Sequence, residues 1–326
     1  MTGITACSTY LPRPRIPATE YEQALGRFSA RIDEKAVPAF DEDAVTMAID
    51  AGSSIPIDQE PGVLALSSTT WPQPETLASG PISRALSIPE STKTMEFGTS
   101  WKAGIEALHC ALGHDNGIAI AADVPNASPD DDVEHVQGAG AVAISTGSQQ
   151  SNPIAEFIGE GHHISARMPA KFRSETDRTD LQLGQYTTDG FVSATKAAIE
   201  RALDSAELSL EDITHAVFPQ EDVKMAWRGG LQIGFSEEQM TAGFVVNKMG
   251  FAHTAGPLLG LASALESSRP EDTLLVVGYG HGHGATALIL EVTEDIETTQ
   301  TGFTDQLDEG EQIDYSTYLR LRGGER

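Results

Sequence analysis

The stretch "AGPLLGLASALESSRPEDTLLVVGYGHGHGATALILEV", residues 255–292, carries a complete structural unit. Residues 255–267 set small and apolar side chains on a helical period. "DTLLVVGYG" (272–280) is apolar almost throughout, the pattern of a strand covered on both faces. A Gly-rich turn follows, and "GATALILEV" (284–292) gives a second buried strand. The same order occurs earlier in the chain. "KAGIEALHCALG" (102–113) is a small-residue helix and "GIAIAADV" (117–124) an apolar strand. After an acidic loop, "GAGAVAIS" (138–145) supplies the Gly-rich turn and the second strand. The two copies lie about 150 residues apart, which points to an internal duplication of an α/β unit.

Other elements fit around this skeleton. "GITACSTYL" (3–11) reads as an opening strand, and "DEDAVTMAIDAGS" (41–53) as a helix with an acidic first turn. "GVLALSSTT" (62–70) is a strand running into a polar loop. Residues 161–186 are polar and irregular, then "TDGFVSATKAAIERAL" (188–203) is an amphipathic helix with Asp189 near its start. "ITHAVFPQ" (213–220) is a strand ending at Pro219. Past Val292 the composition turns acidic and polar. The expected division is therefore a first half over 1–150, a second over 151–294, and an acidic tail over 295–326. The end of that tail interleaves Ile313, Tyr315, Tyr318, Leu319 and Leu321 with Arg320 and Arg322, residue types suited to an interface anchor; alternatively it is a frayed terminus or a short helix packed on its own domain.

Composition narrows the surroundings. The 326 residues carry 48 acids against 21 bases, a formal charge of −27, and only seven of the bases are Lys. A diffuse acidic, Lys-poor surface resembles that of proteins from salt-loving cytoplasm, where screening makes self-repulsion tolerable. Nucleic acid and anionic membrane are poor partners for such a surface. Cys7 and Cys110 have no metal spacing, and two thiols without a secretion signal fit a reducing cytoplasm. No apolar run is long enough to span a bilayer.

With these pieces in order, the chain resembles the thiolase superfamily, and within it the archaeal branch of 3-hydroxy-3-methylglutaryl-CoA synthase. The resemblance rests on "GITACSTYLPRPRI" (3–16), "EKAVPAFDEDAVTMAIDAG" (34–52), "SPDDDVEHVQGAGAVAI" (128–144) and "LLGLASALESSRPEDTLLVVGYGHGHGATALILEV" (258–292), in that order. It implies a thiolase-type duplicated five-layered α/β/α/β/α fold, a dimer, and an acyl-CoA thioester as substrate or ligand with no resident cofactor. In the family a Cys at the start of the first repeat's helix takes the acyl group, a His and an Asn hold the thioester carbonyl, and a Glu handles the proton.

Each of those positions departs here. In "MEFGTSWKAGIEAL" (95–108) the residue before Lys102-Ala103-Gly104, where the resemblance puts the Cys, is Trp101. The Glu position falls on Thr69, the His position on Pro219 and the Asn position on Phe251, with His253 nearby. Cys110 lies further along the helix and should face the core. Ser100 is a candidate replacement nucleophile with His253 as its base; alternatively Ser100 and Thr99 cap the helix. Trp101 has the bulk to fill the acyl site.

His281 and His283 sit on a Gly turn without a nearby third ligand, and His162 and His163 in a polar loop, so no metal site is expected. "GHGHG" and "GAG" lack phosphate-loop spacing. The expected function is a synthase-like protein of acyl-CoA metabolism that has lost catalysis and serves as a binding or scaffolding subunit. The alternatives are an acyltransferase working through Ser100 and His253, and a stand-alone acyl-CoA sensor or carrier. Expected partners are a second copy or an active thiolase-fold homologue, together with an OB-fold and zinc-ribbon acyl-CoA-binding protein docking on the tail.

Overall fold

Nine strands form one sheet, and their order displays the duplication. The structure, a computed structural model, describes residues 2–57, 60–73, 75–127, 131–165, 171–173, 178–180, 184–221, 223–282, 284–298 and 301–322. His283, the start of the acidic loop at 128–130, much of 161–186 and the side chain of Asp189 lie outside the described residues. Across the sheet the strands run His215–Val217, Thr273–Gly280, Gly284–Val292, Ala155–Ile164, Thr2–Tyr10, Gly140–Ser148, Ile118–Asp123, Leu64–Ser67 and Thr94–Phe97.

Read outward from the middle, Thr2–Tyr10, Gly140–Ser148, Ile118–Asp123 and Leu64–Ser67 match Ala155–Ile164, Gly284–Val292, Thr273–Gly280 and His215–Val217. The senses match as well: two antiparallel pairings and then a parallel one in each half. Thr94–Phe97 adds an edge strand to the first half, parallel to Leu64–Ser67. The two half-sheets join through only two residue pairs, Gly3 with Glu156 and Ile4 with Ala155.

Three apolar clusters define the layers. In the first half Leu64, Leu66, Ile118 and Ile120 face one way, onto the helices Ala44–Ser53 and Ser79–Ala85. Ala65, Ala119, Ala121, Val142 and Ile144 face the other way, onto Ala103–Leu112 and Gly256–Ser267. In the second half Val276, Leu288 and Leu290 meet that same central pair of helices, while Leu275, Val277, Tyr279 and Ile289 pack outward against Gly184–Ala206 and Val223–Ile233. Alternation along each strand thus feeds two apolar layers at once, which explains the continuous apolar runs in the sequence. Helices, half-sheet, two central helices, half-sheet and helices make the five layers that the resemblance implies.

The central helices approach closely because their small residues permit it. A Cβ added to Gly104 would lie 2.0 Å from the carbonyl oxygen of Thr254, just before the second-repeat helix. Any larger residue there would push the two helix starts apart.

At the C-terminal end the structure has a helix packed on its own body, the alternative to a partner-docking tail. Residues 301–322 fold onto the body instead of trailing from it. The helix Phe303–Asp308 is tied to the second-repeat helix through Glu266, whose carboxylate accepts from the Thr301 hydroxyl (2.5 Å), the Phe303 N–H (2.9 Å) and both the N–H and hydroxyl of Thr304 (3.1 and 2.5 Å). Gln306 donates to the Thr9 carbonyl (2.7 Å) and accepts from the Leu11 N–H (2.8 Å), gripping the opening strand. Glu311–Gln312 pairs in parallel with Pro14–Pro17.

The last helix, Tyr315–Leu321, buries Tyr318 with Ile16, Tyr21 and Val37, and Ile313, Tyr315 and Leu319 pack around them. Beneath it, buried Lys35 bonds Glu134 (2.6 Å) and the Tyr318 hydroxyl (3.2 Å), and Tyr21 donates to Glu134 (2.9 Å). Burial pushes Lys35 down to about 8, with Glu134 opposing that shift. The aromatic anchors expected to meet a partner are therefore spent on the chain's own core. Polar flanks hide this in the sequence, because the docking groups lie hundreds of residues away.

Glu266 makes this docking acid-sensitive. Burial raises its carboxyl, but the Thr301, Thr304 and Phe303 donors outweigh burial and hold it below the usual glutamate value. A depressed folded pKa gives stability that is full above the unfolded value, about 4.3, and lost as pH falls through the folded one. Protection factors of the amides over residues 301–309, corrected for the intrinsic pH dependence of exchange, should therefore fall on going from pH 7 to about pH 3 more than those in the central strands. Glu266→Gln should show faster exchange at neutral pH and lose that acid step. Equal acid responses in both chains would count against this role.

Candidate functional site

The matching loops of both halves converge at one end of the central helices. From the first half come Thr69, after Leu64–Ser67, and the turn Gly98–Trp101 before Ala103–Leu112. The second half supplies the loop after His215–Val217, the segment Phe251–Thr254 before Gly256–Ser267, and His281 after Thr273–Gly280.

Trp101 sits at the focus. Its ring meets Phe251 edge-on at 5.0 Å, His281 edge-on at 5.1 Å, and His253 tilted at 5.1 Å. Phe251 and His253 are 5.4 Å apart. Ile32, Val246, Val136, Val223 and Phe244 surround this group with apolar surface. Aromatic pairs of this kind contribute roughly 0.5–1.5 kcal/mol each beyond their buried area. The helix start, where unpaired N–H groups favour an anion, is thus faced by a packed aromatic cluster.

Below the cluster a buried carboxylate gathers the loops. Asp123 ends the strand Ile118–Asp123 and is fully buried. One oxygen accepts from the Ser68, Thr69 and Thr70 hydroxyls (3.1, 3.0 and 2.8 Å) and from the Thr69 N–H (2.8 Å). The other accepts from the N–H and hydroxyl of Thr254 (2.8 and 2.6 Å). Burial pushes the carboxyl above its ordinary range, while the threonine donors pull it back.

Thr69 Oγ1 also shares a hydrogen bond with Nδ1 of His253, 2.7 Å away. His253 holds a left-handed backbone, φ 40°, which a non-glycine residue adopts only when its surroundings impose it.

The candidate pair Ser100 and His253 is brought to the same region but not joined by a hydrogen bond. The Ser100 hydroxyl accepts from the Lys102 N–H (3.3 Å), and its carbonyl accepts from the Ala103 N–H (2.9 Å). Its Oγ also rests against Gly280, where an added Cβ would come within 1.9 Å. Ser100 acts as a turn residue leading into a helix that starts at Ala103, later than the cap expected at Thr99 or Ser100.

Pro219 is buried, and its neighbour Gln220 locks the loop by donating to the Gly243 carbonyl (2.5 Å) and accepting from the Val245 and Val246 N–H groups (2.9 and 3.0 Å). Neither thiol takes the nucleophile's place. Cys7 is buried, and burial with Glu266 nearby pushes its thiol up. Cys110 lies 3.2 Å from the Met95 sulfur, its thiol also raised by burial.

Two features escape a sequence reading. His281 forms a buried pair with Glu221, 2.9 Å apart, from a loop sixty positions earlier. Asp123 does leave a signal, a lone carboxylate closing an otherwise apolar strand. No helix among the described residues is long and apolar enough to cross a membrane.

Comparison with known proteins places this geometry. No family model matches the chain. Along 342 residues it is 28% identical to the hydroxymethylglutaryl-CoA synthase of Methanosarcina mazei, covering 98% of both chains. It is 27% identical to that of Pyrococcus horikoshii over 335 residues, covering 98% of this chain and 95% of the other.

Among solved structures, HMG-CoA synthase complexed with CoA superposes with a TM-score of 0.87 at 17% identity, covering 99% of this chain and 91% of that one. PksG, an HMG-CoA synthase from Bacillus subtilis, gives 0.84 at 16% identity, covering 99% and 88%. Sequence similarity along nearly the whole length and a shared fold agree: the chain is thiolase-like, related to the archaeal hydroxymethylglutaryl-CoA synthases.

Proposed function

We propose that the chain is a synthase-like protein of acyl-CoA metabolism that has lost catalysis and acts as a binding or scaffolding subunit. The observation that carries this is the Trp101 cluster. Where the resemblance puts the family's Cys, Trp101 offers no nucleophilic chemistry and packs on Phe251, to which the resemblance gives the Asn position. Thr69 and Pro219 replace the acid and the histidine. The competing acyltransferase would need Ser100 activated by His253, yet His253 is engaged with Thr69 and Ser100 with the helix turn.

Partners follow from the sheet. Thr94–Phe97 closes one end of it, and no strand among the described residues covers its outer side. An open edge of that kind is a template for another chain. A second copy, or an active thiolase-fold homologue, pairing there would extend the sheet across a two-fold axis. An OB-fold and zinc-ribbon acyl-CoA-binding protein would meet the outer face of the docked helix Tyr315–Leu321, since Tyr318 itself is buried.

Two measurements test these readings. Incubation with acetyl-CoA followed by intact-mass and peptide analysis should show no covalent adduct, and acetoacetyl-CoA should not be condensed. Trp101→Cys alone should not restore activity, because catalytic groups that act as a unit fail together. Stable acetylation at Ser100 would overturn the proposal in favour of the acyltransferase. Light scattering should show a dimer at molar salt that weakens as salt is lowered, since each chain carries a formal charge of −27. A monomer at every salt concentration, alone and with an active homologue, would remove the scaffolding role.

A further inference from the structure

A second polar centre lies on the first-repeat helix, at the opposite end from Trp101. His109 is in the last turn of Ala103–Leu112, while Glu160 and His162 stand two apart on Ala155–Ile164 and so share a face. Their neighbours Gly159 and Gly161 lie under the helix Gly184–Ala206, which leaves Glu160 and His162 facing His109. His109 Nε2 contacts the Glu160 carboxylate directly, and His162 Nε2 is 3.7 Å from Glu160 Oε2. The two imidazoles are 5.0 Å apart, and one donor atom from each of the three side chains lies within 4.8 Å of the others.

Hydrogen bonds on the far side of His162 hold its ring in place. The Thr286 hydroxyl donates to Glu106 Oε1 (2.7 Å) and accepts from Lys102 Nζ (3.4 Å). With its only proton committed, it can only accept from His162 Nδ1 at 3.1 Å. His162 therefore donates from Nδ1, which leaves Nε2 as the atom turned toward the Glu160 carboxylate. A proton on Nε2 would draw the pair to about 2.7–2.9 Å. Two ligand atoms on a tetrahedral zinc stand roughly 3.3 Å apart, from metal–ligand bonds of about 2.0–2.2 Å. The 3.7 Å gap is nearer the second case.

We infer that His109, Glu160 and His162 bind a divalent cation of the zinc class, two imidazoles and one carboxylate serving as ligands. Such a donor set suits Zn²⁺, Co²⁺ or Ni²⁺ better than Mg²⁺ or Ca²⁺. The supports are built in. The chain His162 Nδ1–H to Thr286 O–H to Glu106 fixes the ring as second-sphere partners of metal-bound histidines do. The backbone of Glu160 is bracketed by the Ser205 hydroxyl (2.8 and 3.0 Å), and Arg201 donates to the His162 carbonyl (2.8 Å).

Binding takes up the lone pair of His109 Nε2, so its bond to Glu160 is exchanged for bonds to the metal. The side chains remain 33–45% exposed, which leaves coordination positions open to water or a small anionic ligand. The ion would clamp a helix of the first half to a strand of the second.

The test uses the untagged full chain, stripped with a chelator and titrated with Co²⁺ while the visible absorption is followed. One equivalent should bind with an intense ligand-field band, be displaced by Zn²⁺, and raise the melting temperature. His109→Ala, His162→Ala and Glu160→Gln should each lose the band. Thr286→Val should bind about tenfold more weakly, the lower end for loss of a second-sphere partner. His163→Ala should bind as the parent does, since His163 turns toward Arg201. Circular dichroism confirms that each variant is folded. No band in the parent, or the same band in all the ligand variants, would overturn the assignment. So would His162 titrating as a free imidazolium in the presence of excess metal.

Discussion

The constraint on which the molecule turns is the burial of the Asp123 carboxylate. A charge placed out of water must be compensated by donors, and here they come from two loops more than 180 residues apart in sequence, Ser68–Thr70 and Thr254. The same contacts draw the starts of the two central helices together, where Gly104 accepts the close approach of the Thr254 carbonyl. A five-layered fold needs its middle layer shared by both halves. Asp123 ties that middle layer at the end where the site lies. Leaving such donors unpaired by removing the carboxylate would cost on the order of 1–3 kcal/mol for each buried group.

That constraint also shapes the site. Thr69, held by Asp123, orients His253, and the enforced left-handed backbone at His253 turns its ring against Trp101. Catalytic sites commonly store strain of this kind. Here the space beside His253 is packed with aromatic rings, and the proposed loss of catalysis rests on that packing.

What was legible in the sequence was whatever depends on local pattern. The helix, strand, turn and strand of 255–292 recur at 102–145, and the structure pairs them in the same order and sense in each half. Long-range compensation was not legible. Glu266 reads as one more surface acid on a helix, yet it fixes residues 301–304. Tyr318 reads as an exposed anchor, yet it covers the buried Lys35–Glu134 pair. His109, Glu160 and His162 share no spacing that a motif could register, because strand register and helix phase bring them together. Ser100 and His253 both lie beside Trp101, but hydrogen-bond partners along the chain decide what each does there.

The narrow seam between the half-sheets bears on how the chain reaches this state. Thr2–Tyr10 lies mid-sheet, paired with Gly140–Ser148 on one side and with Ala155 and Glu156 on the other. This strand is therefore left unpaired until residues about 140 positions later have been synthesised, and its far end is gripped only when Gln306 arrives. Pairings this distant in sequence are slow to form and expose apolar edges while they wait. Chains interrupted between the two repeats should be the form most in need of a chaperone, and Gln306 is a late latch on Thr9 and Leu11.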